Sequence, residues 1–208
     1  MIEITKITDV IIYSDGIDAV IFDLDDTLYP EKSYVRSGYK AISEEYPHID
    51  NMQEKLWNVF LCGGCAIDEV LKDEGILSSS EKEKCLNIYR FHKPEISFYD
   101  GVYNMLISLR KSDKKIGIIT DGRPEGQRAK IAALGLENLV DEIIVTDELG
   151  GIEFRKPNSV AFEKMQKLMN VSFSRMMYVG DNIKKDFVAP EKLGMRSIHF
   201  VNKDGLYY

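Results

Sequence analysis

The chain has 208 residues, 27 basic and 34 acidic side chains, a formal net charge of −7 and 44 % hydrophobic residues. Such a chain can bury a core without metal or disulfide staples, and its acidic balance argues against a nucleic-acid polymer as partner, which requires a basic face. No stretch approaches the ~20 apolar residues that span a bilayer, the N-terminus lacks a signal-peptide pattern, and three cysteines suit a reducing compartment, so a cytoplasmic protein with no membrane partner is expected.

In chain order, residues 1–18 read as one or two extra strands, through Ile11, Ile12 and the turn Ser14-Asp15-Gly16, that extend a sheet at an edge. Ala19 to Phe22 is the first of five short apolar runs. The others are Ile116 to Ile119, Ile143 to Val145, Met176 to Val179 and Ser197 to Val201. Each is apolar almost throughout, the pattern of a strand buried on both faces. From Tyr34 to His92 the periodicity is helical: Val35, Tyr39, Ile42 and Tyr46 share one face, and Met52, Leu56, Val59 and Phe60 another. Ser80 and Glu83 form a capping-box pattern there, and Cys62-Gly63-Gly64-Cys65 reads as a glycine turn rather than a metal or redox site. Val102, Met105, Leu106 and Leu109 mark a further helix. Helices over 124–134, 158–169 and 183–193, the last interrupted at Pro190, separate the final strands. The expected fold class is α/β, a Rossmann-like parallel sheet with helices on both faces, built from residues 1–29 and 98–208. Residues 30–97 form a small all-α cap domain.

In open α/β sheets, ligands bind beyond the C-terminal ends of the strands. There the first core strand runs into Asp23-Leu24-Asp25-Asp26-Thr27, the second into Thr120-Asp121-Gly122, and the fourth into Gly180-Asp181-Asn182 with Asp186 one turn on. Lys156 precedes the helix after the third strand. Taken singly, these are ordinary turns, caps and surface charges; jointly they converge on one sheet edge. Carboxylates so crowded need a cation, and hard oxygen donors suit Mg²⁺.

The order DxDxT, Thr-Asp-Gly, Lys and GDxxxxD resembles the haloacid dehalogenase superfamily over residues 19–201, in the subgroup with a small helical cap after the first motif. The resemblance implies a Mg²⁺-dependent phosphatase of small phosphate monoesters, with an aspartyl-phosphate intermediate. By it, Asp23 is the nucleophile and Asp25 the acid/base, with a pKa expected to be raised by burial and neighbouring carboxylates. Mg²⁺ is held by Asp23, the backbone carbonyl of Asp25, and Asp181, with Asp186 in the outer shell orienting a water or Lys156. Thr120 and the amides of Asp121 and Gly122 grip the phosphoryl group, and Lys156 supplies a charge to it and to Asp23. An acidic residue at position 25 speaks against dehalogenation.

The cap is expected to exclude water and set specificity, with a small phosphorylated metabolite, a sugar or polyol phosphate foremost, as substrate. Tyr29, Tyr34, Arg36 and His92 read as packing or solvated positions, and Arg123 stands beside the phosphate grip. A phosphomutase and a nucleoside monophosphate phosphatase are the alternatives, and an aspartyl-phosphate signalling module is the rival from another class. A monomer is the default expectation, with a dimer left open.

Overall fold

A computed structural model describes residues 1–206. Its chain forms two compact units, one made of Lys32–Ile96 and the other of the chain on either side of it. The larger unit is built on six strands: β1 (Ile2–Ile4), β2 (Ala19–Phe22), β3 (Lys115–Thr120), β4 (Glu142–Val145), β5 (Met176–Gly180) and β6 (Arg196–Phe200). They lie in the order β1-β6-β5-β2-β3-β4, every pair parallel. The central strands are buried on both faces, which accounts for their unbroken apolar runs.

In this unit the helices are α5 (Val102–Lys111), α6 (Pro124–Leu134), α7 (Val160–Met169) and α8 (Val188–Leu193); α1 to α4 belong to the other unit. Phe162, Met165 and Met169 of α7 pack with Ala19, Ile21, Ile119 and Tyr178 into one core cluster. Pro124 opens α6 at a position where no amide is required, and Gly135 closes it in the left-handed conformation. No described helix is long and apolar enough to cross a membrane.

Three local expectations are corrected. Only Ile2–Ile4 of the N-terminal segment is a strand, at the sheet edge beside β6, while Ile7–Tyr13 is a 3₁₀ helix. Ile7 and Val10 are buried and Ile11 and Ile12 exposed, so burial follows a three-residue spacing and not strand alternation. The helix expected over 183–193 begins only at Val188, and Pro190 lies in its first turn, where its missing N–H breaks no hydrogen bond. The third correction concerns a helix cap in the smaller unit.

That unit holds α1 (Glu31–Glu45, its first residue at the boundary), α2 (Met52–Leu61), α3 (Ala66–Asp73) and α4 (Ser79–Phe91). Val35, Tyr39, Ile42, Leu56, Val70, Leu71 and Cys85 form its core. Ser78 caps α4, its side chain accepting from the Glu81 amide at 3.1 Å. The same S-x-x-E spacing occurs at Ser80 and Glu83, so the sequence offers two registers, and the earlier one includes the full helix. Cys62 and Cys65 are exposed free thiols flanking a turn with Gly63 at φ +76°.

Candidate active site

The sheet delivers its polar residues to one edge because β2, β3 and β5 are parallel neighbours that end together: Phe22 pairs with Ile118 and Val179. Asp23 follows directly, its amide donating to the Val179 carbonyl at 2.8 Å, so the strand geometry itself places its carboxylate. The chain then turns through Asp26 at φ +52°. This conformation is costly for a residue with a side chain and is held by several bonds. The Asp26 carboxylate accepts from the amides of Glu31 at 2.8 Å and Leu206 at 2.7 Å, and its carbonyl accepts from Asn202 Nδ2 at 2.8 Å.

At the centre is Lys156. Its ammonium has no solvent exposure and lies 2.6 Å from Asp23 Oδ1, 2.8 Å from Asp186 Oδ1 and 2.9 Å from the Tyr178 hydroxyl. Burial disfavours its charge, but Asp186 and Asp23 outweigh that and hold its pKa well above the usual lysine range. Asp186 Oδ2 accepts from the Asn182 amide at 2.9 Å, and a Cβ on Gly180 would overlap that carboxylate, so only glycine fits the end of β5. Asp181 accepts from Thr27 Oγ1 at 3.3 Å, which ties the first motif to the last.

Asp23, Asp181 and Asp186 each present an oxygen within 4.8 Å of the others. Burial first, then the neighbouring carboxylates Asp186 and Asp23 respectively, push Asp23 up to about 7 and Asp181 up to about 8 against the pull of Lys156. Three carboxylates converging on one point, with Asp23 and Asp181 pushed up by burial and by their neighbours, are a donor set suited to a hard divalent cation. Both oxygens of Asp186 are engaged by Lys156 and the Asn182 amide, which fits it to a supporting position behind Asp23 and Asp181.

Asp25 departs from expectation. Burial raises its pKa, but the Lys130 ammonium at 2.7 Å, the Tyr29 hydroxyl and Gln127 Nε2 at 2.8 Å overcome it and hold the carboxyl below its ordinary value. Burial and neighbouring carboxylates alone would raise it; the lysine that arrives from α6 reverses the direction. Thr120 is buried, with its Oγ1 accepting from Gln127 Nε2. The Asp121 side chain accepts from the Lys156 amide and Thr146 Oγ1, each at 3.0 Å, and from Lys185 Nζ at 3.0 Å. Burial raises its pKa, but Lys156 and Lys185 together outweigh that and hold the carboxyl below its ordinary value. Gly122 sits at φ +142°, where a side chain would be strained, so the amide turn after β3 requires glycine.

These groups surround a cavity of about 260 Å³ lined by Asp23, Asp25, Glu31, Asp121, Arg155, Lys156, Asp181 and Lys185. Of the expected site residues, Asp23, Asp25, Asp121, Lys156 and Asp181 line this cavity, while Thr120 and Asp186 are buried outside its lining. Missed were Lys130, Gln127, Lys185, Tyr178 and Glu31. Gln127 and Lys130 carried a signal: with Ile131 and Leu134 they complete a buried stripe at helical spacing on α6. Tyr34 packs on Tyr89 and His92, and Arg36 pairs with Glu54, as their bland readings anticipated, while Arg123, beside the phosphate grip, is exposed.

A sequence model of the family described as haloacid dehalogenase-like hydrolase matches residues 20–200. Among curated proteins, the glyceraldehyde 3-phosphate phosphatase of Methanopyrus kandleri is 26 % identical over 88 % of this chain and 83 % of its own. The pyrophosphatase PpaX of Bacillus mycoides is 24 % identical over 88 % and 82 %. Among solved structures, a putative beta-phosphoglucomutase from Thermotoga maritima shares the fold at TM-score 0.64 and 18 % identity, covering 88 % of this chain and 85 % of that one. The HAD-hydrolase YfnB from Bacillus subtilis, bound to magnesium, matches at TM-score 0.61 and 19 % identity over 87 % and 85 %.

Proposed function

Because the chain belongs to the haloacid dehalogenase-like hydrolases and is a phosphatase, we propose that it cleaves small sugar phosphate monoesters, three-carbon ones foremost, through an aspartyl phosphate on Asp23. The observation that carries this reading is the Asp23 carboxylate at the end of the central strand, 2.6 Å from the buried Lys156 ammonium and facing a small polar cavity. The unit Lys32–Ile96 is the proposed cap.

In this reading the Asp23 carboxylate attacks phosphorus, the bond to the ester oxygen breaks, and its electron pair leaves with that oxygen, which takes a proton from Asp25. Water then attacks the same phosphorus, Asp25 accepts its proton, and phosphate leaves with Asp23 restored. Lys130, Gln127 and Tyr29 favour the ionised form of Asp25, the form the second step requires, and disfavour the protonated form that donates in the first. Mg²⁺ held by Asp23, Asp181 and the Asp25 carbonyl would neutralise charge on the phosphoryl oxygens. Asp186 orients Lys156, which keeps a positive charge on the nucleophile and the phosphoryl group. Thr120 and the Asp121 and Gly122 amides hold the remaining oxygens.

Carboxylate and ammonium pairing around a 260 Å³ cavity supports a small anionic ester. Phosphate release from glyceraldehyde 3-phosphate, other sugar and polyol phosphates, nucleoside monophosphates and pyrophosphate, with Mg²⁺ or EDTA, tests the proposal. Metal-dependent release that is fastest with the three-carbon ester is expected. An isomerised phosphate ester in place of free phosphate would replace it by a phosphomutase.

A further inference from the structure

Two side chains of α6, one turn apart, reach the reacting groups from beneath. Lys130 and Gln127 are both buried, 6 % and 3 % exposed. Lys130 Nζ lies 2.7 Å from Asp25 Oδ1, which the Tyr29 hydroxyl also bonds, and Gln127 Nε2 lies 2.8 Å from Asp25 Oδ2. Both carboxylate oxygens are therefore anchored, and from two directions. The same Gln127 nitrogen also lies within hydrogen-bond distance of Thr120 Oγ1 and, at 2.9 Å, of the Asp121 carbonyl, so its two protons are shared among three acceptors. Since Thr120 Oγ1 accepts from Gln127, its own hydroxyl proton remains to be donated elsewhere. Burying an ammonium and a primary amide is unfavourable unless they are paired, and here Lys130 pairs with Asp25 and Gln127 reaches Asp25, Thr120 and Asp121.

We infer that Lys130 and Gln127 are positioning residues that fix the Asp25 carboxylate for hydrolysis of the aspartyl phosphate. The inference rests on the reading of Asp25 as the base of that step. Without the anchor the carboxylate turns in its socket, and a displacement near 1 Å costs roughly 10²-fold in rate. Formation of the aspartyl phosphate from an ester with a good leaving group needs no proton donor, so it is spared.

Rapid mixing with 4-nitrophenyl phosphate and MgCl₂ separates the two steps, because nitrophenolate appears in the first and turnover requires the second. The readout is the ratio of burst rate to steady-state rate. It is taken within one sample, so a misfolded fraction scales both rates and leaves the ratio unchanged. Lys130→Met is expected to raise the ratio about 10²-fold and Gln127→Leu about 10-fold. Gln127→Leu strands no charge and serves if Lys130→Met does not fold. Asp25→Asn, run beside them, is expected to raise the ratio at least as much. A raised ratio in Asp25→Asn with wild-type ratios in both α6 variants overturns the inference and leaves the role of Asp25 standing. A wild-type ratio in Asp25→Asn overturns both.

Discussion

At the C-terminal edge of the sheet, Lys156 lies fully buried between Asp23 and Asp186, whereas in the helical unit Arg36 meets Glu54, Lys40 meets Glu95 and Lys82 meets Asp68 with side chains 39 to 66 % exposed. The N···O distances are alike, 2.6 to 2.8 Å, so distance does not separate the two groups. Solvent does. An exposed pair is screened and gains about 0.2–1 kcal/mol, while a buried one has lost several kcal/mol of hydration per ion that its partners must offset. A sheet edge that keeps such groups dry holds them for chemistry, and a helix surface that keeps them wet gains solubility and little else. Each variant below removes a charge from one side of this contrast.

Asp23→Asn has the largest expected effect on activity, a loss of about 10⁴-fold or more, because an amide cannot form the acyl phosphate. Its effect on stability has the opposite sense. Asp23 is pushed up to about 7, so the metal-free folded chain binds a proton there that the unfolded chain, at 3.8, has released. The group's contribution to stability is full below about pH 4 and is lost as pH rises through about 7. Removing it leaves Lys156 paired with Asp186, so the metal-free variant unfolds no sooner than the wild type at about pH 8. A dead variant with an unchanged or raised melting temperature is the expected pair of results. A collapse in melting temperature would show that Asp23 is structural as well.

Lys156→Met breaks the comparison from the other side. It leaves Asp23 and Asp186 buried without their cation, a change that costs about 3–5 kcal/mol, and urea unfolding in EDTA reads it. Activity falls with it even in the folded fraction, since the nucleophile and the phosphoryl group lose their shared charge. The helical unit has no residue whose single replacement by an isostere should approach that loss through charge alone.

Most of this edge was legible beforehand because strands buried on both faces announce themselves by composition, and parallel neighbours must end together. Asp23, Thr120, Lys156 and Asp181 follow from that geometry. What was not legible comes from tertiary contact. Lys130 and Gln127 occupy apolar positions of an amphipathic stripe, where a polar residue looks like an interruption until its partner, more than 100 residues away, is known. The lowered pKa of Asp25 follows from the same contact. Ile11 and Ile12 misled for the complementary reason: β-branched residues favour strands, but no neighbouring strand was there to receive them, and the segment coils into a 3₁₀ turn with both exposed.

Glu31 sharpens the contrast, because it is a buried carboxylate without a lysine of its own. Among the described residues its Oε2 has no hydrogen-bond partner. Burial first, then Asp25, push it up to about 8 against the Lys130 charge. The folded chain thus holds a proton that the unfolded chain releases near 4.5, so this group's contribution to stability is lost as pH rises from about 4.5 through about 8. Glu31→Gln keeps the shape and removes the titration. The variant is expected to be more stable than wild type by a few kcal/mol near pH 8 and equal to it near pH 4, measured by urea unfolding in EDTA. Equal pH slopes for the two proteins would mean that Glu31 titrates alike in the folded and the unfolded chain.

The smallest effect belongs to Arg36 and Glu54. Their charges meet at 2.7 Å with side chains 49 % and 52 % exposed, while the Arg36 guanidinium also lies 5.1 Å from the Trp57 ring centroid. Ion pairing predicts that Glu54→Gln costs under about 1 kcal/mol and that the cost shrinks with added salt. The ring contact depends on the guanidinium and not on Glu54, so Arg36→Ala should cost more, by about 0.5 kcal/mol, and retain that excess at high salt. Urea unfolding of both variants and the double variant, at low and high NaCl, separates the two contributions as a coupling energy and a remainder. A coupling above about 2 kcal/mol would place this surface pair in the same class as the buried one and remove solvent as the explanation for the difference between the two units.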